Sequence, residues 1–206
     1  MDIVCTDLEG IYTPEIWINV AKKTGIETLR LTTRDVPDYD VLMQGRLSIL
    51  KENGLTLSDI QAVIATMAPL AGAKDFLNWL RSTLQVVVVS DTFIEFAGPL
   101  IEKLDWPTLF CHNLTVDSAG NITGYNLRQP QAKKKTLLAL KSLKFETIGI
   151  GDSYNDIEMI QAADHGILFC PPENVIEEFP ELPVTTTYEA LRAIIERIMR
   201  DGKPKS

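Results

Sequence analysis

The sequence is poor in cysteine and histidine, and no apolar run in it approaches the length of a bilayer crossing. Its three cysteines, Cys5, Cys111 and Cys170, are scattered, odd in number and without CxxC spacing. That excludes a disulfide framework and a thiolate zinc site, and it suits a reducing, cytoplasmic compartment. Two isolated histidines, His112 and His165, are too few for a histidine-based metal site and read as solvated or core residues. No basic segment followed by an apolar stretch opens the chain, so no signal peptide is expected. Low-complexity segments and internal repeats are missing as well. Basic residues are outnumbered: 20 Lys and Arg stand against 28 Asp and Glu, a net charge of −8. Such a balance argues against nucleic acid or an anionic membrane as partner and leaves a small molecule. An anionic substrate would need its charge met locally, by a metal ion and a few placed cations.

What the chain does have is a globular composition, 45% hydrophobic and 23% charged over 206 residues, enough for one full-sized domain or a core with a smaller insert. Short apolar runs at Ile3–Cys5, Val86–Val89, Thr147–Ile150 and Gly166–Phe169 lack polar alternation and read as buried parallel strands. Helical periodicity occupies Ala73–Leu84, Phe93–Leu104, Lys134–Leu143 and Asp156–Ala163. This succession predicts an α/β fold, a doubly wound parallel sheet with helices on both faces. Two β-prone pieces within Leu114–Leu127, around Ser118-Ala119-Gly120-Asn121, predict a hairpin flap. Residues 11–71 hold three helical patterns and no convincing strand. They read as a small helical cap inserted after the first strand, with 1–10 and 72–206 as the α/β core. Thr13-Pro14-Glu15 has the form of a helix start: cap, proline, acid.

Four pieces fall where an α/β sheet builds its site, at the carboxyl ends of strands. Asp7-Leu8-Glu9-Gly10 follows the first strand, and its two carboxylates can face one cleft while the backbone is extended; alone it is equally an acidic turn. Ser90-Asp91-Thr92 follows the second and offers a hydroxyl and backbone N–H groups to a phosphate, or merely caps a helix. Lys133 opens a helix whose Lys134 and Lys135 read as a solvated face. Gly151-Asp152-Ser153-Tyr154-Asn155-Asp156 follows a third strand and suits a magnesium site, or a capped strand–turn–helix link.

In this order the four pieces resemble the motifs of the haloacid dehalogenase-like (HAD) phosphatases, with Asp7-Leu8-Glu9 first, Ser90 second, Lys133 third and Gly151–Asp156 fourth. Glu9 departs from that pattern, which usually has an aspartate there. DLEG, PEIW, YDVLMQGRL, VVVVSDTF and GDSYND are together similar to one branch, the phosphoserine phosphatases that also act as phosphoserine:homoserine phosphotransferases. The resemblance implies Asp7 as nucleophile and Glu9 as acid and base. It implies Mg2+ on Asp7, Asp152 and the Glu9 main-chain carbonyl, with phosphoryl oxygens on Ser90, the Asp91 N–H and Lys133. Asn155 would touch substrate or Asp152, and Asp156 would support the site from behind.

Substrate choice is expected in the insert. A helix over Tyr39–Lys51 places Leu42, Arg46, Ile49 and Leu50 on one face, and a guanidinium on an apolar stripe either meets an anion in a cleft or snorkels at its edge. In the resembled branch an arginine here binds the substrate carboxylate, and a glutamate matching Glu15 faces its ammonium. The implied substrate is phosphoserine, with homoserine as a further acceptor. The alternatives are a HAD phosphatase for a nucleotide or sugar phosphate, and a phospho-accepting receiver-type module without turnover.

Overall fold

The apolar runs become strands because neighbouring residues bury opposite faces of one sheet. A computed structural model describes residues 1–32, 35–36 and 38–201. Its first stretch comprises β1 (Asp2–Thr6), α1 (Ile16–Thr24), a 3-10 turn (Glu27–Arg30), α2 (Tyr39–Glu52), α3 (Leu57–Ala65) and α4 (Ala73–Thr83). Then follow β2 (Gln85–Phe93), α5 (Ile94–Lys103), β3 (Leu109–Val116), β4 (Ile122–Asn126) and α6 (Ala132–Ser142). The last stretch holds β5 (Glu146–Gly151), a 3-10 turn (Tyr154–Asp156), α7 (Ile157–Ala162), β6 (His165–Phe169), α8 (Glu173–Glu178), β7 (Val184–Thr185) and α9 (Tyr188–Asp201).

Among the described residues the sheet has seven strands in the order β4-β3-β2-β1-β5-β6-β7. Every pairing is parallel except the β3–β4 hairpin. From β1 the chain winds outward through β2 and β3, then returns to the other side of β1 for β5, β6 and β7. The reversal lies between β1 and β5, and a crevice at the carboxyl ends of such strands is where open α/β sheets bind ligands. One face of the sheet, including Val4, Val88, Ile148 and Ile150, packs with Phe76, Leu77 and Leu80 of α4, Ala97 and Ile101 of α5, and Leu191 and Ile195 of α9. The other face buries Ile3, Val87 and Val89 beside Leu140, and Cys5 beside Leu137 and Met159. With both faces covered, the strands have no reason to alternate polar and apolar residues.

A second apolar interior joins α1, α2 and α3 (Ile16, Val20, Met43, Leu50, Ile60, Ile64) to Phe93, Phe96 and Leu100 and to Leu114 and Ile122 of the hairpin. The hairpin is therefore no free flap. Its first strand begins at Leu109 within the main sheet, and at its tip Gly120, at φ 86°, accepts a 2.9 Å bond from Leu57 N at the start of α3.

The start of α1 differs from the sequence expectation. The helix begins at Ile16, and Thr13 does not cap it. Residues 8–13 close into a turn in which Tyr12 N and Thr13 N both donate to Leu8 O. The N–H of Ile16 is met instead by the Glu9 carboxylate, at 2.8 Å. Among the described residues no helix is long and apolar enough to cross a membrane, and the three cysteines are unpaired.

Candidate active site

Asp7 sits one residue past β1, 4% exposed, held by its own N–H donating to Ile150 O at 3.0 Å. Leu8 N donates to its Oδ1 at 2.7 Å, and Lys133 Nζ lies 3.0 Å from its Oδ2. The chain then turns through Gly10 at φ 76°, where a Cβ would overlap the Asp152 carboxylate. Only glycine lets the first motif pass this close to the fourth.

Lys133 lies in the first turn of α6, and its ammonium is shared among three carboxylates: Asp156 at 2.8 Å, Asp7 at 3.0 Å and Asp91 at 3.5 Å. Asp156 is fully buried, and its other oxygen accepts from Asp152 N and Ser153 N, both at 3.1 Å. Burial alone would lower the Lys133 pKa, but Asp156, Asp7 and Asp91 hold it well above its usual value, so the ammonium stays charged. Asp7 is raised well above the usual carboxylate range, first by burial; Lys133 opposes this, and Asp156, Asp152 and Asp91 add to it.

At the end of β2 the pairing with β3 shifts register between Val89 and Phe93, which frees Ser90-Asp91-Thr92 from the ladder. The segment remains extended, with α5 beginning at Ile94, so Ser90 does not cap that helix. Its hydroxyl accepts from Thr92 N at 3.2 Å, inside the cavity. Asn155 donates to Asp91 Oδ2 at 3.1 Å and accepts a bond from the Ser153 hydroxyl. Burial would raise Asp91, yet Lys133, His112 and Asn155 together hold it well below the usual range.

Across the cleft stand Glu9, Glu15 and Arg46. Burial, then the neighbouring Glu15 charge, push Glu9 up to about 8. Arg46 is 7% exposed, with its guanidinium 4.4 Å from the Trp17 ring centroid. Nη2 donates to Leu31 O at 2.8 Å, while the buried Nε has no partner among the described residues. Burial lowers its pKa to about 10, so it remains a cation at neutral pH. All the sequence-predicted site residues line one cavity of about 430 Å3: Asp7, Glu9, Glu15, Arg46, Ser90, Asp91, Lys133, Asp152 and Asn155. Trp17 and Tyr39 lie within the PEIW and YDVLMQGRL strings without a role assigned to them, and His112 lies in no motif. Trp17 and Tyr39 line the cavity, and His112 is buried behind Asp91.

Asp7, Asp152 and Asp156 each present an oxygen within 4.8 Å of the others. Asp156 is fully buried behind the cavity, under Lys133 and two N–H groups, whereas Asp7 and Asp152 line it and are the pair that could bind a cation. Burial and the Asp156 charge raise Asp152 to about 7, the mark of a carboxylate short of positive charge. An all-oxygen donor set in a crowded anionic cleft fits a hard divalent ion.

A buried carboxylate, a shared lysine and an acidic pair at the switch point of a doubly wound sheet suit a phosphoryl group bound beside a cation. The family model of the haloacid dehalogenase-like hydrolases matches residues 8–164, and the chain belongs to that family. It is 56% identical over 192 residues to phosphoserine phosphatase ThrH of Pseudomonas aeruginosa, covering 93% of this chain and 94% of that protein. It is 55% identical over 192 residues to the phosphoserine phosphatase of Pseudomonas syringae pv. tomato, covering 93% and 81%. A solved phospho-aspartyl intermediate analogue of phosphoserine phosphatase superposes with a TM-score of 0.76 at 22% identity, over 95% of this chain and 98% of that one. A substrate-bound phosphoserine phosphatase complex gives 0.76 at 21%, over 95% and 97%. At those identities the likeness is one of fold.

Proposed function

We propose that this protein is a magnesium-dependent phosphoserine phosphatase that takes the phosphoryl group onto Asp7 and passes it to water or to homoserine. The observation that carries the reading is Arg46. A buried cation whose Nε has no partner among the described residues shares one cavity with Glu15, Asp7 and Lys133. A neutral sugar would leave that charge unmatched, whereas an amino-acid zwitterion gives its carboxylate to Arg46 and its ammonium to Glu15. The names of the relatives that are 55–56% identical support the same substrate.

In this reading residues 11–71 form the specificity cap, on a catalytic core of 1–10 and 72–206. Asp7, Asp152 and the Glu9 carbonyl would hold magnesium, which supplies charge neutralisation between anionic nucleophile and anionic substrate. Ser90, the Asp91 N–H and Lys133 bind the non-bridging oxygens. Asp7 attacks phosphorus, and as the bond to the seryl oxygen breaks, Glu9 gives that oxygen its proton. A pKa near 8 supports this role, since it keeps Glu9 protonated at neutral pH. In the second half-reaction Glu9 takes a proton from water or from the homoserine hydroxyl, whose attack on phosphorus frees Asp7. Free cysteines and an acidic surface fit a cytoplasmic enzyme of small molecules.

The test is phosphate release from phosphoserine, phosphothreonine, a nucleotide and a sugar phosphate, with and without magnesium. Phosphoserine should give the highest kcat/KM, and only with the metal. With homoserine added, phosphorus NMR should show homoserine phosphate growing at the expense of inorganic phosphate. Preference for a neutral sugar phosphate would overturn the substrate, and inorganic phosphate alone at saturating homoserine would overturn the transfer.

A further inference from the structure

We infer that the backbone N–H of Ile16, at the start of α1, is a positioning group for Glu9. It seats one carboxyl oxygen on the helix and leaves the other to exchange a proton with the substrate oxygen. The contact is a hydrogen bond of 2.8 Å from Ile16 N to Glu9 Oε2. An acid that accepts through one oxygen carries its proton on the other, so the proton of Glu9 stands on Oε1. Glu9 lines the catalytic cavity, and the bond to Ile16 stops its carboxyl from turning there.

Three features of the chain build this seat. Glu9 bridges to Thr13, and Gly10 N donates to Thr13 O at 2.8 Å, so the turn over residues 8–13 brings the start of α1 back to Glu9. Glu15 precedes the helix, yet its side chain makes no capping bond. With Glu9 in that role, the Glu15 carboxylate is left in the cavity, where the proposed function gives it the substrate ammonium. Position 9 is also a glutamate, and an aspartate there would stop one methylene short of Ile16 N. When the seryl oxygen parts from phosphorus, one proton passes to it from Oε1, and negative charge gathers on the Glu9 carboxylate. The Ile16 N–H, at the N-terminal end of a nine-residue helix, favours that charge. In the second half-reaction the proton returns to Oε1 from water or from the homoserine hydroxyl. Ile16 is 1% exposed and packs with Val20, Ile60 and Phe96, so the presentation of the acid is tied to the place of α1.

This deepens the proposed function and rests on its assignment of Glu9 as the acid. Ile16→Pro deletes the N–H at the first residue of a helix, where proline fits, and Glu15 before it already has an extended ψ of 120°. Ile16→Ala is the control, because it loses more of the buried side chain and keeps the N–H. With magnesium present, the first turnover is followed by rapid quenching for phosphoserine and by nitrophenolate release for p-nitrophenyl phosphate. Serine needs a proton to leave, whereas nitrophenolate leaves unaided. Ile16→Pro should slow the phosphoserine turnover about tenfold, the scale of one lost bond to a charged group, and the nitrophenyl turnover by no more than about twofold. In Ile16→Ala the ratio of the two should stay within about twofold of wild type. An unchanged ratio in Ile16→Pro, or an equal fall in Ile16→Ala, would overturn the inference. Glu9→Gln tests the reading beneath it: equal loss on both substrates in that variant would remove Glu9 as the acid, whatever Ile16→Pro shows.

Ile16→Pro also gives up a buried isoleucine, so a second measurement leaves Ile16 intact. Amide hydrogen exchange at Ile16, followed by NMR, reads the bond itself. Protection should persist in Glu9→Gln, which keeps an acceptor oxygen, and should drop about tenfold or more in Glu9→Asp, whose carboxyl falls short. Exchange as slow in Glu9→Asp as in the wild type would show that Glu9 does not hold this N–H, and the inference would fall with it.

Discussion

Replacing Arg46 by alanine separates recognition of the amino-acid end from phosphoryl chemistry. The guanidinium is buried, and no part of it contacts Asp7 or Lys133 in the hydrogen-bond network around them. A charge-assisted bond to the substrate carboxylate is worth about 1.5–3 kcal/mol. At about 1.4 kcal/mol per power of ten, kcat/KM for phosphoserine should fall roughly 10–150-fold. The same change removes the bond to Leu31 O and uncovers the Trp17 ring, a packing loss of about 1 kcal/mol that lowers Tm by roughly 2–4 °C at this chain length. That structural cost falls on every substrate alike. The assay is therefore a ratio, kcat/KM for phosphoserine over kcat/KM for p-nitrophenyl phosphate, in wild type and variant. The ratio should fall by at least a power of ten, with Arg46→Lys intermediate because it keeps the charge and loses the fork. An unchanged ratio would refute the reasoning and place Arg46 in general structure.

Metal removal should couple to pH. In the metal-free protein Asp152 and Glu9 are raised to about 7 and 8, so the folded state holds protons that the unfolded state has already released above about pH 4. Their contribution to stability is full at low pH and is lost as pH climbs toward 8. Asp91, held low, has its contribution in place above pH 4 and does not vary in this window. Thermal melts should accordingly show metal-free protein less stable at pH 8 than at pH 6, and a larger magnesium-induced rise in Tm at pH 8; the opposite trend would contradict the assignment of these carboxylates. Gly10→Ala forces a Cβ into the Asp152 carboxylate at a positive φ, so magnesium affinity measured by calorimetry should fall by a power of ten or more, with activity falling alongside it.

The parts of the site that were legible in the sequence are those fixed by local geometry. Asp7 and Asp152 each follow a buried strand and Ser90 follows the apolar run within β2, recognisable because a parallel strand covered on both faces is apolar throughout. Lys133 opens a helix whose buried stripe shows in its spacing. Arg46 stood out as a charge on an apolar helical face. Long-range partners left no such trace. The Thr13-Pro14-Glu15 pattern is a sound local cap, but the turn over residues 8–13 and the reach of Glu9 to Ile16 N displaced it. An aspartate at position 9 is one methylene shorter, which gives the departure from the family pattern a structural consequence. His112 read only as a solvated or core residue, because its place beside Asp91 depends on the β2–β3 register. Trp17 looks like any aromatic on an amphipathic helix until α1 and α2 bring it under Arg46.

The central claim is that phosphate passes through Asp7, and rapid acid quenching tests it most directly. Enzyme, magnesium and phosphoserine are mixed, stopped within one turnover and digested, and the peptide carrying Asp7 is examined by mass spectrometry. The account predicts one phosphoryl group on Asp7, lost on longer incubation and lost faster when homoserine is present, and absent from an inactive Asp7→Asn variant of wild-type fold. Turnover of phosphoserine with Asp7 unmodified at every time point, or undiminished activity in Asp7→Asn, would contradict it.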